Sequence, residues 1–221
     1  MRANTGLKFR ERREIAIGVK KEITKRVRAA YGNIRASITE VTQRMIEKQL
    51  LASNVTQSLL SGKLRQDFGL TQSEANRSVQ EIINYVSTNI RVLLNPSTKA
   101  ETIAVFTLDL LPMGTRGLKS LPGGSYTSSG KLGGGDVTWL SWLLEKGTQV
   151  VIGDFWVFPD PEGITRAGSV MQKVSQKHPE GFRVDSSFSG TPQDNFVTRA
   201  LQPLLPGIRD IVFKKIEEEL K

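Results

Sequence analysis

From Glu11 to about Leu51 an apolar residue returns at every third or fourth position: Ile15, Val19, Ile23, Val27, Tyr31, Ile34, Ile38, Val41 and Met45. Steps of three and four place these side chains on one face of a helix. Gly32-Asn33 interrupts the composition but not the phase, which favours one continuous helix over two. Unbroken, about 40 residues make a rod roughly 60 Å long. Such a rod reaches beyond its own domain, so its stripe needs a neighbour to cover it.

The same stretch holds nearly all of the chain's charge imbalance. Residues 1–36 contain eleven Lys/Arg against three Glu, a net of +8, while the whole chain is +9. Arg10, Arg12, Arg13, Lys20, Lys21 and Arg28 are the candidates for a surface facing DNA or an acidic protein, with contacts that weaken as salt rises. A solvated helix face that keeps the protein in solution accounts for the same residues. Residues 1–52 are therefore read as a basic long-helix arm, and residues 53–221 as an α+β domain.

The sequence predicts further helices after the arm. Asn54 is placed to cap a short one through Val55, Leu59, Leu60 and Leu64, ending near Gly69, and Thr71-Gln72-Ser73-Glu74 has capping-box spacing. The helix it opens carries Ala75, Val79, Ile82, Ile83, Val86 and Ile90 on one face. After Pro96 the texture changes, and Thr102 to Leu111 reads as a strand. Eight of the twenty glycines fall between Met113 and Gly135 among serines and threonines, which predicts a flexible loop over 113–135. Asp136 is placed to cap a helix from Val137 to Lys146, and Gln149–Phe158, Ser169–Val174 and Phe182–Asp185 are strand candidates. Thr191-Pro192-Gln193-Asp194 has the order of a helix start, with breaks expected near Pro203 and Pro206. The fold class is α+β: a helical N-terminal region of one or two long helices plus two shorter ones, then a small antiparallel or mixed sheet with flanking helices.

Catalytic chemistry finds little purchase. The chain has no cysteine and one histidine, His178 between Lys177 and Pro179, which leaves no thiolate metal site and few His-based arrangements. Gly124 to Lys131 imitates a phosphate-binding loop but has five residues between its glycines instead of four, and Leu132 stands where magnesium needs a hydroxyl. Asp154, Asp160, Glu162, Asp185 and Asp194 read as turn and cap residues, without spacing that predicts convergence. Trp139 and Trp142 lie three apart on a helix that is apolar nearly all round, and such a helix is normally buried, although tryptophan also anchors interfaces. The expectation is a non-enzymatic, soluble protein without a cofactor or metal. No run approaches the about 18 apolar residues that span a bilayer, so no membrane partner is expected.

The second half resembles the neck and tail-completion proteins of tailed bacteriophages. The resemblance lies in Leu144-Glu145-Lys146-Gly147-Thr148, Thr165 to Met171, Phe182-Arg183-Val184 and Ser189 to Ala200, with Leu59 to Leu70 as a further patch. Members typically show a Glu-x-Gly-Thr turn after a short aromatic helix and a Phe-x-x-Arg-Ala helix before the C-terminus. The resemblance implies a head–tail connector in the virion, assembled in the host cytoplasm. Copies would form a homo-oligomeric ring, commonly six or twelve to a ring with a hexamer expected here, against portal, head-completion or tail proteins and around packaged DNA. It implies that Gly147 and Thr148 shape a turn, and that Asn195, Phe196 and Arg199 lock the last helices onto the sheet, with Arg199 able to pair across a subunit boundary. A tail terminator is the near alternative. A DNA-binding protein using residues 2–35 is the alternative of another class.

Overall fold

The computed structural model describes residues 9–96, 104–110, 114–130, 133–145, 151–152, 155–159, 169–173 and 182–220. The stripe forms a single helix, α1 (Phe9–Ala52), of 44 residues. Gly32 lies inside it with open space around its Cα, so the phase of the stripe, and not the glycine, decides the helix's continuity.

Two short helices follow, α2 (Asn54–Ser61) and α3 (Lys63–Asp67). The cap is Ser53 and not Asn54: extended backbone at Ser53 lets its hydroxyl accept from the Thr56 amide, which makes Asn54 the first helical residue. Gly69, at φ 63°, takes the left-handed turn that stops the run. The Thr71–Glu74 capping box is present and starts α4 (Gln72–Thr88). This helix ends two residues before Ile90, because Thr88 Oγ1 and Asn89 Nδ2 donate to the carbonyls of Asn84 and Tyr85 at 2.6 and 2.7 Å. Ile90 instead opens β1 (Ile90–Pro96), a strand not foreseen in the sequence, which pairs antiparallel with β2 (Ala104–Leu110).

Residues 113–135 were expected to form a loop, but the described part of them is structured. It contains the helical turn α5 (Arg116–Lys119), a 3-10 turn at Pro122–Gly124, β3 (Tyr126–Gly130) and the start of β4 (Gly133–Val137). Contacts to α4 hold it in place. Ser78 Oγ donates to the Gly123 carbonyl at 2.8 Å, and the Gly123 amide donates to Glu81 at 2.7 Å. Tyr126 Oη donates to the Phe68 carbonyl at 2.6 Å, and burial, with Glu74 nearby, pushes its phenol up to about 12. Asp136 does not cap a helix; it lies on β4 opposite Thr127, whose hydroxyl donates to it at 2.8 Å. The helix begins later, as α6 (Trp139–Glu145), and a Lys119–Glu145 ion pair at 2.7 Å ties it to α5.

The remaining strands are short: β5 (Val151–Ile152), β6 (Phe155–Pro159), β7 (Ser169–Lys173) and β8 (Phe182–Arg183). Among the described residues the strands form four two-stranded antiparallel ladders, β1-β2, β3-β4, β5-β8 and β6-β7, with β7 lying against β3 and β4. The class is α+β, with ladders in place of one sheet. The C-terminal helices are α7 (Phe196–Leu201) and α8 (Leu204–Leu220). Asn195, not Thr191, caps α7. The break falls at Gln202-Pro203, while Pro206 sits in the first turn of α8, where its missing amide costs no helical bond.

The main core joins Ile46 and Leu50 of α1 to Leu59, Phe68, Ile82, Leu118, Trp139, Leu143, Val197 and Ile208. A smaller cluster seats Ile34 and Ile38 against Val92 of β1 and against Val212 and Ile216 of α8. The second half of α1 therefore belongs to the body, and position 52 is no boundary between an arm and a domain.

Candidate functional site

The stripe on α1 divides at Val27. From there to Leu50 it is covered, with Val27, Ile34, Ile38, Ile46 and Leu50 all buried and Tyr31 donating its hydroxyl to the Val92 carbonyl at 2.9 Å. Before Val27 the same phase is bare at Ile15 and Val19, 53 and 52% exposed, and half-buried at Ile23, while Ile17, on the other side of the helix, is 58% exposed. The covered half lies against α8, which runs antiparallel to α1 with Gly207 beside Met45 and with Val212 and Ile216 packed on Ile34 and Ile38. The 18 residues Phe9–Arg26 before it, about 27 Å of helix, form the projecting half.

Arg13 and Lys21 stand exposed on this projecting half and Lys20 is half-buried, while Arg28 is exposed just inside the covered half. The Arg10 and Arg12 side chains lie outside the described ones. Glu22 pairs with Arg26 at 3.4 Å, an exposed contact of small energetic weight. The projecting half thus combines bare Ile and Val with a net of +4, seven Lys/Arg against three Glu over residues 9–26.

The aromatic residues of the sequence analysis lie elsewhere. Trp139 is fully buried and Trp142 nearly so, and Phe68 lies 5.6 and 6.2 Å from their rings, with Phe182 6.2 Å from Trp142. They are the core of the single chain and offer no surface to a partner. Gly147, Thr148 and His178 lie outside the described residues, as do Asp154, Asp160 and Glu162.

Asn195 and Arg199 act together at the start of α7. The Asn195 side chain accepts from the Val197 and Thr198 amides at 3.1 and 3.2 Å and donates to the Thr191 carbonyl at 3.0 Å. Gly190 lets this turn close on α6: a Cβ there would stand 2.5 Å from the Asn195 Cβ and 2.7 Å from the Leu143 carbonyl. Phe196 is buried behind the cap. Arg199 grips Asp194 with two nitrogens at 2.7 and 2.9 Å and reaches the Ser189 carbonyl at 3.3 Å. This pairing holds the Asp194 carboxyl below its ordinary range and raises the guanidinium. The charge of Arg199 is thus engaged within its own chain.

One carboxylate pair was not legible in the sequence. Asp67 ends α3 half-buried, and burial raises it despite the nearby Lys63; Asp185 feels the same lysine and is lowered by the Ser187 amide and hydroxyl at 2.9 and 2.8 Å. Those bonds make Asp185 a turn-forming residue. Among the described residues no three His, Cys, Asp or Glu gather as a metal site would require, and no described helix is long and apolar enough to cross a membrane.

A second bare surface, also missed, lies on the outer side of α8. Leu205 and Phe213 are 51 and 54% exposed, and with Pro206, Arg209 and Asp210 they line an open groove of about 500 Å³. Arg209 lies 5.6 Å over the Phe213 ring. The signal was present in the sequence as Leu205 and Phe213, eight residues apart on a flank of the helix about 100° from Leu204, Ile208 and Val212. No protein-family model matches the chain, and neither a curated protein nor a solved structure does.

Proposed function

We propose that this chain is a non-enzymatic structural protein of a phage neck, a head–tail connector whose work is to form a ring and to dock on the rings above and below it. The observation that carries this reading is the apolar stripe of α1 leaving the body bare over Ile15 and Val19. Apolar side chains in register along a projecting helix lose little on folding and gain when an adjoining surface excludes water from them. The patches that resemble neck and tail-completion proteins, Glu145 to Thr148 and Ser189 to Ala200, supply the placement. The capped turn at Asn195 supports it as a rigid element between α6 and α7.

Native mass spectrometry of the purified chain, with cryo-electron microscopy of particles, tests the reading. A closed ring located between portal and tail is the expected result; a monomer absent from particles overturns it. Binding to the tail tube without binding to the head-side connector would assign the tail terminator instead. The basic projecting half favours a second reading, DNA binding, whose signature is a salt-sensitive duplex shift lost when Arg10, Arg12, Arg13, Lys20 and Lys21 are neutralised together.

A further inference from the structure

We infer that the projecting half of α1 lies along the outer face of α8 of the next copy, so that every α8 is held between its own α1 and a neighbour's. The inference rests on the ring reading and names the two surfaces that close the ring.

Three observations select this occupant. Of the seven large apolar residues exposed among the described ones, four lie on these two faces: Ile15 and Val19 on α1, and Leu205 and Phe213 on α8. Charge then decides between pairing schemes. Two projecting halves laid together would set +4 against +4, whereas Leu204–Leu220 carries three Lys/Arg against four Asp/Glu, a net of −1. Asp210, Glu217 and Glu218 are exposed along α8. The contact repeats in kind the one already made inside each copy, where Ile34 and Ile38 meet Val212 and Ile216. Because the two faces differ, the contact is head-to-tail, the arrangement that closes into a ring when the rotation allows.

The chain has no cysteine, so introduced thiols are unambiguous reporters. One preparation carries Ile15→Cys, Val19→Cys or Ile23→Cys singly, and another carries Leu205→Cys or Phe213→Cys. The two are mixed under oxidising conditions and the dimers are mapped, since a disulfide forms only where Cα atoms come within about 7 Å. The expected result is a dimer joining an α1 thiol to an α8 thiol, and a ladder of covalent oligomers from the chain bearing both Val19→Cys and Phe213→Cys. Phe213→Lys, which sets a cation against the basic helix, is expected to lose the ring, and Phe213→Leu to keep it, with helical content unchanged in both. Dimers of Val19→Cys with itself, or a ring that gives no α1–α8 disulfide at any position, overturn the inference. A ladder from a protein absent from particles sinks the virion function and leaves this contact standing; a ring in particles without the disulfide does the reverse.

Discussion

Along α1 one pattern has two outcomes. Between Val27 and Leu50 the stripe lies against α8, β1 and the main core, and Ile34, Ile46 and Leu50 have no exposed surface at all. Ile15 and Val19, of the same type and phase, are about half exposed. Periodicity therefore fixes that a helix forms and which side is apolar. What covers that side is decided by where other elements pack, here by Val92 of β1 and by Val212 and Ile216 of α8 against Ile34 and Ile38.

Substitutions in the two halves should separate sharply. Ile46→Ala, in the covered half, should lower unfolding free energy by about 2–5 kcal/mol, read by urea denaturation, because a fully buried side chain leaves a cavity. A loss under about 1 kcal/mol would mean that the covered half is not part of the cooperative core. Asn195→Ala removes the cap of α7, a helix that packs on α1, and should cost about 1–2 kcal/mol in the same assay. Gly32→Ala has open space around it and should stabilise by about 0.5–1 kcal/mol, whereas Gly18→Ala in the projecting half should leave the global transition where it is. Equal gains at both glycines would erase the distinction. Smallest of all, Ile15→Ala with Val19→Ala should change stability by less than about 0.5 kcal/mol while shifting the mass distribution from ring toward monomer.

Much of the helical framework was legible in the sequence because helices signal locally. The α1 stripe, the Thr71–Glu74 box and the left-handed Gly69 each depend on residues within a turn or two of one another. The misreadings came where a distant partner intervened. Asp136 has a cap's chemistry but faces Thr127 across a ladder, and the glycines at 123 and 124 read as slack chain although Ser78, Glu81 and Leu140 pin them. Ile90 continued a helical face until the Thr88 and Asn89 side chains took the last carbonyls. Of the candidate site residues, Trp139 and Trp142 resolved to core and Arg199 to an in-chain pair, while the α8 face went unread because its inner stripe already explained the helix.

An uninterrupted α1 also acts as a protractor. The projecting half is continuous with a segment clamped in the core, so the direction in which it leaves one copy is inherited from Ile34 to Leu50. In a head-to-tail assembly that direction would set the angular step between successive copies, and hence how many close the circle. One residue inserted near Val27 would turn the outer apolar face by about 100° without touching either surface, and subunit number would become a property of helical phase.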